Sequence, residues 1–197
     1  LTEIARGEAA DYYRPNFWPN TPDILPEYLQ YGGRPAFMMR LVLAATLSSS
    51  YGIYGPAFEL CEGRGVPGKE EYLDSEKYEI KEWDWNRPGN IRDLVTAVNR
   101  IRRENASLQE TRNIRFLETD NDFILFYMKA NDDKSSILLI AVNLDPFHTQ
   151  SAWVRVPVNE LEMKTDQPYL AYDLLRGDKY IWKSEWNFVQ LDPHKLL

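Results

Sequence analysis

Around residues 35–50 the apolar positions fall nearly all round a helical wheel: Ala36, Phe37, Met39, Leu41, Val42, Ala45 and Leu47. The pattern predicts a helix over 35–50 that is buried on most sides. Pro35 suits its first position, where a missing N–H is not needed. The stretch "YGIYGPA" at 51–57 follows after a very short link. Its glycines and aromatics predict a short buried strand ending in a turn. Residues 58–89 hold Gly63, Gly65, Pro67, Gly68, Pro88 and Gly89. They predict a long loop, of a length that is uncommon in compact domains unless it carries function. A second helix, over 90–105, is the clearest of all. Ile91, Leu94, Val95, Val98 and Ile101 form one stripe, Asn90 stands as N-cap, and Asp93 sits three residues on as in a capping box. Arg100, Arg102 and Arg103 place positive charge where a helix C-terminus favours it.

After Asn105 the texture changes to short strand-like runs. "IRFLET", "DFILFYMK", "SILLIAVNL", "SAWVRVPV", "YLAYDLL", "KYIWK" and "NFVQLD" alternate with polar turns such as "DND", "NDDK" and "RGD". Short strands with regular turn punctuation predict an antiparallel β-sandwich over 106–197. The first half, led by a strand-like "NFW", reads as two βα units. Two such units bury their apolar surfaces poorly alone, and they match the closing part of a (β/α)8 barrel. The predicted class is therefore α/β plus all-β: the last two βα units of a TIM barrel over 1–105, then the sandwich. In such barrels chemistry sits at the C-terminal ends of strands. The segment after "NFW" and the 58–89 loop would both open on that face.

Composition narrows the function classes. The 197 residues are 44% hydrophobic and 13% aromatic, ample for a packed core and contrary to disorder. A net charge of −7 argues against nucleic acid, which needs basic patches. The longest apolar runs, "AFMM" and "LVLAATL", are broken by Arg40 and too short to span a bilayer. A single cysteine, Cys61, excludes an intrachain disulfide and points to a reducing, cytoplasmic setting. It reads as an inert thiol. Two histidines, His148 and His194, read as surface or turn residues, and no metal-ligand spacing or cofactor motif is present. The chain begins at Leu1 without methionine, as expected for a piece of something longer.

Two clusters carry candidate chemistry. In "NTPDILPEYLQY", Asp23 is most simply the start of a short helix. The alternative is a carboxylate that steadies positive charge on a sugar ring in an oxocarbenium-like transition state. Phe17, Trp18, Tyr28, Tyr31, Tyr51 and Tyr54 are dense enough to stack on sugars, but most are expected in the core. In "EEYLDSEKYEIKEWDW", Lys77 and Tyr78 stand among Glu70, Glu71, Asp74, Glu76 and Glu79. From spacing alone this run reads as a solvated surface whose ion pairs contribute little. The "RGD" at 176–178 reads as a hairpin turn.

Taken together, "NFWPNTPDILPEYLQYGGRPAFMMRLVLAATLSSSYGIYGPAFEL" and "GKEEYLDSEKYEIKEWDW" resemble the α-1,4-glucan:maltose-1-phosphate maltosyltransferase family of the α-amylase superfamily. The specific combination is Asn-Thr-Pro-Asp, Tyr-Leu-Gln-Tyr-Gly-Gly and Glu-Lys-Tyr. The strand-rich tail fits the family's C-terminal β-domain without a sharp motif. The resemblance implies that Asp23 is the transition-state stabiliser, and that Asn20, Lys77 and Tyr78 bind the donor sugar. Pro22 stands where most amylases have histidine, as in the maltosyltransferase branch. The implied partners are α-maltose 1-phosphate and an α-1,4-glucan acceptor, in a retaining double displacement, with a homodimer as the family's habitual assembly. The nucleophile and the acid/base would lie upstream, so the chain alone is expected to be inactive. Two alternatives stay open: another superfamily hydrolase or trehalose-forming isomerase, and a glucan-binding sandwich module using Trp153, Trp182 and Trp186.

Overall fold

In the computed structural model, which describes residues 1–195, strand β1 (Asn16–Phe17) lies parallel to β2 (Ser50–Tyr51), with Asn16 opposite Ser50 and Phe17 opposite Tyr51. The helix α2 (Glu27–Leu47) joins them, after a short N-terminal α1 (Thr2–Arg6). A kink divides α2 at Gly33, whose φ of +58° and ψ of −160° are non-helical. Only glycine enters that region without steric penalty, and Pro35 then opens the second segment. The sequence period detects that second segment and misses the turns before the kink. The "YGIYGPA" strand is shorter than expected, ending at Tyr51. Beyond it Gly52 lies so close under Trp18 that an added Cβ would meet the indole at 2.4 Å. The long loop carries only an isolated bridge between Gly65 and Tyr72.

Helix α3 spans Arg92–Glu104. Ile91 holds the N-cap position, and the Asn90 Oδ1 accepts the Arg92 N–H at 3.2 Å from one residue before it. Asp93 makes no capping bond. Of the predicted apolar stripe, Ile91, Leu94, Val95 and Val98 are buried in one cluster with Phe37, Leu41 and Ala45 of α2, while Ile101 is half-buried outside it. Phe37 meets Phe58 of the loop with ring centroids 5.1 Å apart.

All seven predicted strands form: β3 (Ile114–Phe116), β4 (Ile124–Ala130), β5 (Ile137–Asn143), β6 (Gln150–Arg155), β7 (Pro168–Tyr172), β8 (Lys179–Lys183) and β9 (Trp186–Leu191). They make an antiparallel sheet in the order β3-β4-β5 and two ribbons, β6-β9 and β7-β8. β4 is buried on both faces. Its Leu125 and Tyr127 pack with Met39 and Leu47 of α2, and the Thr46 and Tyr127 hydroxyls meet at 2.5 Å. Its Ile124 and Phe126 face the ribbons through Val154, Tyr169, Trp182 and Val189. Helix α2 is thus covered by α3 on one side and by the sheet on the other, which is why its sequence is apolar all round. The "RGD" stretch lies between β7 and β8, with Gly177 at φ +79°.

Candidate carbohydrate site

The segment after β1 turns sharply on Thr21. Its N–H donates to the Ile24 carbonyl at 3.0 Å, and the Ile24 N–H reaches the Thr21 hydroxyl at 3.0 Å. Asp23 sits on this turn with its side chain exposed. It does not cap α2. Pro26 takes the flanking position, and the Glu27 N–H is accepted by Glu70 of the long loop at 2.8 Å. The cap reading fails because a distant carboxylate already fills that role, leaving Asp23 free.

The long loop is pinned at several points. Glu62, nearly fully buried, takes bonds from the Arg64 N–H at 3.1 Å, the Arg64 Nε at 2.8 Å and Arg87 at 3.4 Å. Burial acts to raise its carboxyl, but the arginine bonds prevail and hold it below the usual range. The Leu25 N–H donates to the Glu70 carbonyl at 3.0 Å, tying the loop to the Asp23 turn. Farther along, Ser75 organises a single turn: its carbonyl accepts the Tyr78 N–H at 2.9 Å and its hydroxyl accepts the Lys77 N–H at 3.2 Å.

This turn aims Lys77 at Asp23, with Nζ 2.9 Å from Oδ1 and both side chains more than half exposed. Hydrogen bonding to Asp23, then its charge, raises the Lys77 ammonium above its ordinary value. Tyr78 is 80% exposed, and the ammonium lies 5.6 Å from its ring centre. Asn20 is different. It is 1% exposed, and its Nδ2 donates to the Tyr54 carbonyl at 3.1 Å and the Tyr72 hydroxyl at 2.7 Å, while Oδ1 accepts the Tyr54 N–H at 2.9 Å. Both side-chain N–H groups are therefore committed within the protein, tying Asn20 to Tyr54 and Tyr72. Burial raises the Tyr72 hydroxyl to about 12, against the opposing bond from Asn20.

The pair lies on an open face. Two hollows occur elsewhere, one of about 330 Å³ lined by Glu27, Tyr28, Tyr31, Gly32, Pro146 and Phe147, the other between Arg115, Arg155 and Glu185. Among the described residues no group of three or more His, Cys, Asp or Glu is placed to hold a metal, and no helix is long and apolar enough to cross a membrane. Burial raises the Cys61 thiol to about 11, against the effect of Arg34 and Arg87, so it is a poor nucleophile. Of the tryptophans of the strand half, Trp153 and Trp186 are exposed. Trp153 meets Phe188 at 65°, and Trp182 is partly buried, edge-on to Tyr169.

Comparison with known proteins now decides the family. A family model described as "GLGE, C-terminal" matches residues 116–197. Over the whole chain, the sequence is 50% identical to an α-1,4-glucan:maltose-1-phosphate maltosyltransferase of Chlorobaculum tepidum, covering 30% of that protein. It is 51% identical to the one from Methylacidiphilum infernorum over 98% of the chain and 29% of that protein. The Rhodospirillum rubrum protein is 52% identical over 98% of the chain and 28% of its own length. The chain belongs to this maltosyltransferase family, in its C-terminal part. It spans less than a third of the length of these curated relatives. Two solved structures share the fold. One is a noncanonic maltogenic α-amylase AmyB from Thermotoga neapolitana, with a TM-score of 0.56, 11% identity, 95% of this chain and 40% of that chain. The other is the gamma-CGTase of alkalophilic Bacillus clarkii, with a TM-score of 0.58, 18% identity, 97% of this chain and 27% of that chain. The resemblance, not residue type or spacing, singles out Asp23, Lys77 and Tyr78, and the structure brings Asp23 and Lys77 together. Reading by residue type misses Glu62, Glu76 and Trp83, whose acidic or aromatic neighbours in the loop look the same in sequence.

Proposed function

We propose that this chain supplies the transition-state carboxylate and donor-sugar contacts of an enzyme that moves maltosyl units from α-maltose 1-phosphate to the non-reducing end of an α-1,4-glucan. The observation that carries the reading is the convergence of Asp23 and Lys77 from two separate loops to 2.9 Å. Both loops follow parallel strands at their C-terminal ends, β1 and β2, as expected of the closing βα units of a (β/α)8 barrel. On this reading residues 1–105 complete the barrel, and residues 106–197 form the sandwich that covers α2.

The chemistry is retaining double displacement. The bond between C1 of the maltosyl unit and the phosphate oxygen breaks, and phosphate departs with that electron pair. A carboxylate outside this chain bonds C1. The acceptor's 4-hydroxyl then attacks C1, displacing that carboxylate with its bonding electron pair, and its proton passes to an acid/base group also outside this chain. Asp23 steadies the positive charge that develops on the ring in each step, where charge stabilisation gives most of the rate. Lys77 and Tyr78 donate hydrogen bonds to sugar hydroxyls. Asn20 holds the Tyr54 and Tyr72 wall instead of touching sugar. The implied setting is the cytoplasm, from the single cysteine, and the implied assembly a homodimer, from the resemblance.

The test is the Asp23→Asn variant of the full-length protein, assayed by phosphate release from α-maltose 1-phosphate with glycogen as acceptor. Turnover falls by about a hundredfold or more with an unchanged circular dichroism spectrum. A near-normal rate removes Asp23 from the mechanism. Hydrolysis without any dependence on phosphate in the wild type moves the protein to the hydrolase branch of the superfamily.

A further inference from the structure

Glu76 stands directly before Lys77 and is gripped by two aromatic side chains. Its Oε1 accepts the Trp83 indole N–H at 2.9 Å, and its Oε2 accepts the Tyr54 hydroxyl. Burial acts to raise this carboxyl, but the bonds from Tyr54 and Trp83 outweigh it and hold it below its ordinary value. Tyr54 is itself fixed through its backbone, since both its N–H and its carbonyl bond to the Asn20 amide. Its ring stands edge-on to Tyr72 with centroids 5.9 Å apart.

A series of hydrogen bonds therefore runs from Asn20, three residues before Asp23, through Tyr54 to Glu76, directly before Lys77. The ion pair closes the same circuit on the exposed side. Lysine side chains have wide rotamer freedom, and Lys77 projects from a loop with one turn of its own. The loop backbone is fixed beside Lys77 by the carboxylate clamp. We propose that Glu76 is a positioning residue: through Tyr54 and Trp83 it holds the loop so that the Lys77 ammonium faces Asp23 and the donor sugar. This rests on the reading of Asp23 and Lys77 as a sugar site.

The chemistry of the clamp makes a specific prediction. Tyr54 and Trp83 both donate, and a carboxylate only accepts. A glutamine at this position keeps one accepting oxygen for Trp83, and its amide can donate to a Tyr54 hydroxyl that has turned round. An alanine loses both. In the full-length protein, Glu76→Ala raises KM for α-maltose 1-phosphate about tenfold or more, the scale of one charged hydrogen bond, with a much smaller change in kcat. Glu76→Gln restores most of it. Tyr54→Phe and Trp83→Phe fall between. In a Lys77→Ala background, Glu76→Ala adds nothing to KM.

The controls separate two failures. If Lys77→Ala leaves the donor KM unchanged, the sugar-site reading fails and Glu76 falls with it. If Lys77→Ala raises KM while Glu76→Ala lowers only the melting temperature, the clamp is merely structural and this proposal alone is overturned. Should Glu76→Ala not fold, Tyr54→Phe decides: a raised donor KM supports the clamp, and an unchanged one refutes it.

Discussion

Removing the Arg102 guanidinium should loosen the joint between the two halves of the βα region. Arg102 lies on α3 but serves α2. It donates to the Ala45 carbonyl, to the Ser48 carbonyl at 3.3 Å and to the Ser49 carbonyl at 2.8 Å. These are the last carbonyls of α2 and the lead into β2, and a cation there also meets the negative end of the helix dipole. The guanidinium lies 5.0 Å from the Tyr51 ring centre. Arg102→Met keeps the apolar stem and loses all three donors. A hydrogen bond to a charged group contributes about 1.5–3 kcal/mol. One of the three is long and Ser49 is partly wet, so the sum is discounted to about 3 kcal/mol. For a chain of this size each kcal/mol lowers the melting temperature by about 2–4 °C, giving a drop of about 6–12 °C. Arg102→Lys, with one compact donor on a shorter stem, falls between. Exposed Arg103→Met should change stability by less than about 0.5 kcal/mol. The assay is thermal melting by circular dichroism on the 197-residue chain, with hydrogen exchange read at the Gly52 amide that bonds the Phe17 carbonyl at 2.9 Å. A melting temperature for Arg102→Met equal to that of Arg103→Met would refute the reasoning.

Two further perturbations act through pH. Lys129 is fully buried on β4, its ammonium donating to the Glu110 carbonyl, and burial, then Arg102, lowers it from 10.5 to about 8. Between those values the unfolded chain binds more protons than the folded one, so stability should rise with pH by up to about 1.4 kcal/mol per unit above pH 8. Urea titrations at pH 7.5 and 9.5 should show this rise in the wild type and a flat response in Lys129→Met; equal slopes would disprove it. Glu62 works in the opposite sense. Its carboxyl lies below the ordinary 4.5, so the stability it contributes is present above that pH and is lost as pH falls through the lower folded value. Glu62→Gln should flatten the acid limb of a melting-temperature profile below pH 4.5, and an unaltered limb would show that other carboxylates govern acid unfolding.

How much of this was readable before any coordinates follows from the range of each interaction. The strands β3–β9 were legible because each is a short apolar or aromatic run bounded by polar turns, β4 being buried on both faces. Helix α3 was legible because its single stripe meets a single partner. Helix α2 was legible only after its kink, because Gly33 interrupts the period and Pro35 looks like a start. Its all-round apolar character signalled burial correctly but did not say that one side meets α3 and the other the β3-β4-β5 sheet. The caps were misread where tertiary contacts replaced local ones. Glu70 supplies the bond that Asp23 was expected to make for α2, and Arg102 satisfies carbonyls of a different helix from its own.

The same argument explains the site. Spacing alone cannot distinguish Lys77 from Lys69 or Lys81, since each stands among acids in a loop without a period. Only the resemblance singled it out, and the structure supplies the physical distinction: the Ser75 turn presents Lys77 to Asp23. Asn20 shows the converse limit. It sits in the motif with Asp23 and was assigned to the same sugar on that ground. Yet a residue in a binding motif can be there to hold the wall, and burial with both side-chain N–H groups committed supports the proposed supporting role. The consequence is testable against the clamp: Asn20→Ala should release Tyr54, raising donor KM through Glu76 and Lys77 in the way Tyr54→Phe does. An Asn20→Ala effect that persists undiminished in a Glu76→Ala background would show that Asn20 acts on the sugar by a separate route.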